Sequence, residues 1–159
     1  MNETSRRLGP AEADAWRRLV RMQERLHGRV SRRLQAESGL SAADYIVLVH
    51  LTEAPDARMR SADLARAVEW EKSRMSHQIS RMVRRGLVGR VECPEDGRGA
   101  FVVITALGRE TIASAAPGHV AVVRRLFVDL LTPQELGTLA QVANRVVEHL
   151  DRRPAQSGA

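Results

Sequence analysis

The chain of 159 residues has few of the features that define several large protein classes. It has a single cysteine, Cys93, so no disulfide can form within the chain, and we expect a reducing compartment, the cytoplasm. No apolar run approaches the roughly 20 residues of a membrane span, and the first ten residues lack the apolar stretch of a secretory signal. Aromatic residues make up 3%, so a core must be built from aliphatic side chains and methionine.

Catalytic and metal-binding patterns are also missing. No serine, histidine and aspartate set has a recognisable context, and no glycine-rich phosphate loop is present. None of the five histidines has metal-ligand spacing with another or with Cys93: His27, His50, His77, His119 and His149. We therefore expect no enzyme, no metal and no cofactor.

Positive charge is present in excess, and it is unevenly distributed. The net charge is +6, and Lys72 is the only basic residue that is not arginine. Residues 1–40 carry nine arginines against five acids, and residues 58–98 carry ten basic residues against six acids, whereas residues 41–57 have three acids and no basic residue. A GC-rich genome would explain the choice of arginine but not this excess, so two basic segments favour a nucleic-acid partner over a merely solvated surface.

Helical patterns fill both ends of the chain. From Ala11 to about Ala36, apolar residues recur at three- and four-residue steps with arginines on the other side, until Ser38-Gly39 ends the pattern. Ser41 predicts the cap of a second helix, with Asp44 completing a capping box.

The second half of the chain carries two further helical patterns. Thr105 is predicted to cap a fifth helix, which Pro117-Gly118 is expected to kink or break. The sequence Thr132-Pro133-Gln134-Glu135 predicts the start of a sixth helix that runs to about Leu150.

The middle of the chain predicts a helix-turn-helix. Ser61 is expected to cap a short third helix, and a turn around Glu69-Trp70 leads to a fourth helix over about Lys72–Arg85, which Gly86 ends. One side of the fourth helix is an apolar stripe, and the other is polar and basic. Such a helix suits the DNA major groove.

A β-hairpin is predicted directly after this helix. Leu87–Glu92 and Phe101–Ile104 are the expected strands, and the loop between them is rich in proline, aspartate and glycine. Arg98 lies between two glycines at the tip, where the chain can approach a narrow minor groove closely. The predicted fold class is therefore mainly α with a small β-hairpin wing: a winged helix-turn-helix with six helices.

This order of parts resembles the MarR (multiple antibiotic resistance regulator) family of bacterial winged-helix transcription factors, over about residues 11–150. Three segments carry the resemblance: RSADLARAV, SRMSHQISRMVRRGLVGR and ECPEDGRGAFVVITALGRE. Within them lie Gly86-Leu87-Val88 after the recognition helix, Asp96-Gly97-Arg98 in the wing, and Ile104-Thr105-Ala106-Leu107-Gly108 before the next helix.

The resemblance implies one domain over residues 1–159, with dimerisation helices at 11–36 and 105–150 and a winged helix-turn-helix at 41–104. It further implies a homodimer that binds a palindromic operator and regulates transcription as a repressor. A small phenolic or carboxylate ligand is then expected to release the protein from the operator. Apolar residues near both ends of the chain, Trp16 and Val146 among them, independently call for a partner surface.

DNA contacts are predicted on the fourth helix and on the wing. We expect Arg74 and either His77 or Gln78 to read bases, and Arg98 to enter the minor groove. The wider predicted set also contains side chains for phosphate or mixed contacts and Asp96, which the family pattern uses to fix the wing: Ser73, Ser76, Arg81, Arg84, Arg85 and Asp96.

Ligand contacts are weakly specified by the sequence, because aromatic and histidine side chains on apolar faces more often serve packing. The candidates lie on the first two helices: Trp16, His27, Arg29, Tyr45 and His50. Two alternatives to a ligand-released repressor stay open. One is a dimeric protein-interaction module that has lost DNA binding, and the other is a redox-responsive regulator that uses Cys93.

Overall fold

The computed structural model describes residues 7–92 and 100–152 of the chain. These residues belong to two compact units, Met1–Val120 and Ala121–Ala159. The described part contains six α-helices and three strands, in chain order α1 Pro10–Ser38, α2 Ala42–Glu53, β1 Arg58–Arg60, α3 Ser61–Ala67, α4 Lys72–Arg84, β2 Val88–Val91, β3 Phe101–Ile104, α5 Ala106–Leu126 and α6 Pro133–Arg152. Short 3₁₀ turns lie at Pro55–Ala57 and Val128–Leu130. The predicted fold class, mainly helical with a β-hairpin wing, is confirmed.

Most helix ends lie where the local sequence predicts them. Gly39 and Gly86, which follow α1 and α4, have φ values of 69° and 74°, a left-handed conformation that glycine adopts at little cost. The hydroxyl of Thr105 accepts a hydrogen bond from the Gly108 N–H at the start of α5. At the start of α6, the Glu135 carboxylate accepts from the Thr132 N–H at 2.7 Å, which is the predicted capping box.

Three local features differ from the prediction. Ser61 is the first residue of α3 and not its cap, and Arg60 before it makes no side-chain capping bond. The α5 helix continues through Pro117 without a break, although proline costs one helical hydrogen bond there. Strand β1 was not predicted, because its three residues are too short to show an alternating pattern.

The three strands form an antiparallel sheet in the order β1-β3-β2. Val88 pairs with Ile104 and Val91 with Phe101, while on the other side of β3 Arg60 pairs with Phe101. The guanidinium groups of Arg58 and Arg60 lie 5.0 and 4.5 Å from the centre of the Phe101 ring. These cation–π contacts cover the edge of the wing with positive charge.

The core of the first unit is aliphatic, as the low aromatic content predicts. Helix α4 contributes Met75, Ile79 and Met82, and the sheet contributes Val88, Val102 and Ile104. Tyr45 and Trp70 only pack against this core and stay partly exposed. Gly108 of α5 lies so close to Leu87, the residue before β2, that an added Cβ would be 2.1 Å from the Leu87 carbonyl oxygen.

In the part of the chain that the structure describes, none of the helices has the length and apolar character that crossing a membrane requires.

Candidate nucleic-acid interface

Helix α4 has one buried side and one exposed side. Met75, Ile79 and Met82 anchor the buried side in the core, because they recur at the spacing of helical turns. The exposed side presents hydroxyl, imidazole and guanidinium groups, all of them on residues that the sequence predicted for DNA: Ser73, Arg74, Ser76, His77, Arg81 and Arg84. The structure therefore brings six of the ten predicted residues onto one face of one helix.

Arg74 is held in place by a residue that the sequence analysis did not assign to the site. Its guanidinium carbon lies 4.1 Å from the centre of the Trp70 ring, in the turn before α4. Trp70 in turn packs against the hydrophobic core. A stacked guanidinium has less conformational freedom than a free one, so this contact limits the directions in which Arg74 can point.

The prediction for Gln78 is wrong in its placement. Its side chain is 1% exposed, and its amide donates to the Asp44 carboxylate of α2 at 2.7 Å. The other end of the amide accepts a hydrogen bond from Arg81. The sequence held a signal for this burial, because Gln78 stands next to Ile79 and three residues after Met75, within the apolar stripe.

Arg85 also binds within the protein. One of its terminal nitrogens donates to the Asp44 carboxylate at 2.6 Å, and the other donates to the Gly39 carbonyl at 2.8 Å. The predicted contact of Arg85 was with the DNA backbone, whereas the structure gives it an internal tie between α4 and α2. Nothing in the spacing of single residues predicts a contact between positions 41 residues apart in sequence.

Asp44 is the centre of these bonds. Burial alone would raise the pKa of its carboxyl, but the backbone N–H of Ser41 and the guanidinium of Arg85 outweigh burial and lower that pKa below its ordinary value. The carboxylate is therefore charged at neutral pH, although the residue is 2% exposed.

Strand β2 adds a cation that the sequence analysis missed. Arg90 donates to the Ser80 hydroxyl of α4 at 2.9 Å. Together with α4 it forms an open groove of about 480 Å³ whose polar lining includes His77, Arg81 and Arg84. A groove with three guanidinium groups suits a phosphate. The available signal was a basic residue in the first wing strand, directly after the recognition helix.

Three predicted positions lie outside the described residues. They are Asp96 and Arg98 of the wing tip, and Cys93 of the redox alternative.

A second, mostly apolar groove of about 360 Å³ lies between α2 and α5. Its apolar lining comes from Val49, Ile112 and small alanines, and Arg109 and Glu53 supply charge. Of the five predicted ligand residues only Tyr45 lines this groove. Burial raises the pKa of its phenol, which therefore stays protonated at neutral pH.

The other four ligand candidates are placed elsewhere. Trp16 and Arg29 are exposed on α1, and the exposed ring of His27 bonds Ser31 at 3.4 Å. His50 is half-buried on α2 and does not line the groove. His119, which was not a candidate, packs against Tyr45 with the ring centres 4.4 Å apart and the ring planes tilted by 34°. Tyr45 and His119 thus form an aromatic pair beside the groove.

No group of three or more metal-ligating side chains is found in residues 7–92 and 100–152.

Comparison with known proteins gives a consistent result. The model of the MarR family matches residues 38–99. AbsC, a MarR family transcriptional regulator from Streptomyces coelicolor, is 43% identical, with 94% of this chain and 100% of that chain covered and a TM-score of 0.86. Sco3205, a MarR family regulator from the same organism whose structure contains DNA, is 36% identical, with coverage of 97% and 96% and a TM-score of 0.88.

More distant structures share the fold. CouR from Rhodococcus jostii RHA1, solved with p-coumaroyl-CoA, is 22% identical, with 80% of this chain and 87% of that chain covered and a TM-score of 0.70. Among curated proteins no match is found.

Proposed function

The chain belongs to the MarR family of transcriptional regulators, and we propose that it is a sequence-specific repressor that binds a palindromic operator as a homodimer and leaves it when a small ligand binds. It acts in the cytoplasm, where its DNA is. The observation that carries this proposal is the exposed side of α4, which presents hydrogen-bond donors from four successive turns while its other side is fixed in the core. A relative that covers nearly the whole chain was solved with DNA, which supports DNA binding by this chain.

We assign the roles on this surface by side-chain chemistry. Arg74 and His77 are the base readers, because they are exposed near the N-terminal half of α4 and long enough to reach base edges. Ser73 and Ser76 bind phosphate or a base edge. Arg81, Arg84 and Arg90 bind the phosphate backbone, and Arg98 and Asp96 keep the wing roles that the family pattern implies.

The homodimer is supported by unpartnered apolar surface on both terminal helices. On α6, Val142, Val146, Val147 and Leu150 are each about half exposed. On α1, Trp16 is 59% exposed. Isolated apolar side chains are ordinary on a surface, but a repeated stripe along a helix calls for a partner. A symmetric dimer would bury such stripes and would hold two α4 helices about 34 Å apart, one turn of DNA.

The ligand, in this proposal, occupies the groove between α2 and α5. An apolar body would contact Val49 and Ile112, a carboxylate would pair with Arg109, and the Tyr45 hydroxyl would donate to an oxygen. A phenolic or aryl carboxylate has all of these parts. 4-Hydroxybenzoate is a suitable probe: it should lower the DNA affinity of the wild type, and it should have a smaller effect on Arg109→Ala.

The experiment that tests DNA recognition starts from a pool of random duplexes. The protein should enrich an inverted repeat whose half-sites are about 10 base pairs apart, and its affinity should fall steeply as salt rises. A protein-interaction module without DNA binding would enrich no sequence, and that result would refute the proposal. A Cys93→Ser variant that binds and releases DNA as the wild type does, with and without peroxide, would exclude the redox alternative.

A further inference from the structure

Asp44 makes more bonds than its position in α2 requires. As the third residue of that helix it completes the capping box, with its carboxylate accepting the Ser41 N–H at 2.8 Å. A capping carboxylate needs no further partner and is normally bathed in solvent. Here it is buried and also accepts from two further side chains, Gln78 in the middle of α4 at 2.7 Å and Arg85 directly after α4 at 2.6 Å.

The chemistry of these groups fixes the orientation of the Gln78 amide. A charged carboxylate only accepts hydrogen bonds, so the NH₂ of Gln78 must face Asp44 and its carbonyl must point away. That carbonyl is the acceptor for Arg81. Through the Gln78 amide, the buried Asp44 carboxylate therefore sets the direction of the exposed Arg81 guanidinium in the groove between α4 and β2.

The two attachments also restrain the rotation of α4 about its own axis. Gln78 and Arg85 are seven residues apart, which is about two helical turns or roughly 10 Å along the axis. Both reach the same carboxylate, and Arg85 additionally holds the Gly39 carbonyl at the end of α1. A rotation of α4 would break these bonds, and it would also carry Arg74 and His77 away from the base edges.

From these contacts we propose that Asp44 is a positioning residue for DNA recognition. It fixes the orientation of α4 about the helix axis and, through Gln78, the direction of the Arg81 side chain. The inference rests on the proposed DNA-binding function. Asp44 thereby takes part in sequence discrimination, although the residue is buried within the protein.

The test exchanges donors and acceptors within this network. The Asp44 carboxylate accepts from three donors: the Ser41 N–H, the Gln78 NH₂ and the Arg85 guanidinium. In Asp44→Asn an NH₂ replaces one of the accepting oxygens, so the Gln78 amide must turn and point its own NH₂ at Arg81. In the double variant Asp44→Asn with Gln78→Glu, the amide introduced on α2 donates to the carboxylate introduced on α4, whose second oxygen again accepts Arg81. Asp14→Asn, which removes the same charge from an exposed ion pair on α1, is the matched control.

The measured quantity is the affinity for the duplex that the wild type selects, divided by the affinity for a scrambled duplex of the same length. Asp44→Asn should lower this ratio about tenfold, the size of one lost specific contact, and the double variant should recover most of it. Asp14→Asn should leave the ratio unchanged. Thermal unfolding, followed by circular dichroism, establishes that each variant is folded at the assay temperature.

Gln78→Leu keeps the test decisive if Asp44→Asn does not fold. Leucine suits the apolar stripe around Met75 and Ile79, so this variant should fold, and it removes the acceptor of Arg81. Its ratio should fall about as far as that of Asp44→Asn. A folded Gln78→Leu or Asp44→Asn with the wild-type ratio would overturn the inference, as would a folded double variant no better than Asp44→Asn. Failure of the wild type to select any sequence would instead refute the proposed function.

Discussion

The replacement Arg90→Ala tests the groove between α4 and β2, because Arg90 is the cation of that groove that lies outside the helix. Its guanidinium is exposed, and it is held toward α4 by the Ser80 hydroxyl. If the groove binds phosphate, the variant should bind every DNA sequence more weakly, with its preference among sequences unchanged. Its affinity should also depend less on salt than that of the wild type.

The magnitude follows from the number of phosphates neutralised. Each phosphate contact contributes about 0.9 to the slope of log affinity against log salt concentration. A dimer loses two such contacts in Arg90→Ala, so the slope should become shallower by about 1.8. When the salt concentration rises from about 50 to about 200 mM, the affinity of both proteins falls. The factor by which it falls should therefore be about 12 times smaller for the variant than for the wild type.

Fluorescence anisotropy with one labelled duplex at four or five salt concentrations measures both slopes. Arg124→Ala is the control, because it also removes one exposed arginine from an ion pair, with Asp129, outside α4 and the sheet. The control should have the wild-type slope. Equal slopes for Arg90→Ala and the wild type would refute phosphate binding in the groove between α4 and β2.

Three further predictions concern packing, acid stability and assembly. In thermal unfolding, Gly108→Ala should destabilise the fold by about 2 kcal/mol, because the new methyl group would lie 2.1 Å from the Leu87 carbonyl oxygen. The control Gly137→Ala, whose new methyl group would have no atom within 4 Å, should be neutral or stabilise by up to about 1 kcal/mol. Because the folded-state pKa of Asp44 lies below its unfolded value of about 3.9, its contribution to stability is present above about pH 4 and is lost as pH falls through the folded-state pKa. The difference in unfolding free energy between wild type and Asp44→Asn should thus be constant from about pH 7 to 5 and shrink below about pH 4, and a constant difference down to about pH 2 would contradict the pKa argument. Val146→Arg should shift the protein from dimer to monomer in sedimentation equilibrium, and an unchanged dimer would remove α6 from the interface.

Local sequence signals predicted the elements of this fold well, because their causes are local. Ser41 with Asp44 forms a capping box from residues three apart, and Gly86 ends α4 because its own backbone adopts a left-handed conformation. The spacing of Met75, Ile79 and Met82 alone identifies the buried side of α4. Each of these inferences needs at most about two helical turns of sequence.

The parts that sequence did not predict depend on contacts between distant segments. The polar side chain of Gln78 predicts a place on the DNA face, but its partner Asp44 lies 34 residues earlier and makes burial favourable. Strand β1 exists only because β3 pairs with it, and Arg90 joins the site only because β2 lies beside Ser80. Periodicity cannot report such partners.

The most direct test of the central claim is a base-by-base affinity profile of Arg74→Ala. The selected duplex is changed one base pair at a time, and the affinity of wild type and variant is measured for each change. If α4 lies in the major groove, the variant should lose about 1–3 kcal/mol and lose its preference at one position in each half-site, symmetrically placed. A uniform loss across all positions would contradict base reading by this helix.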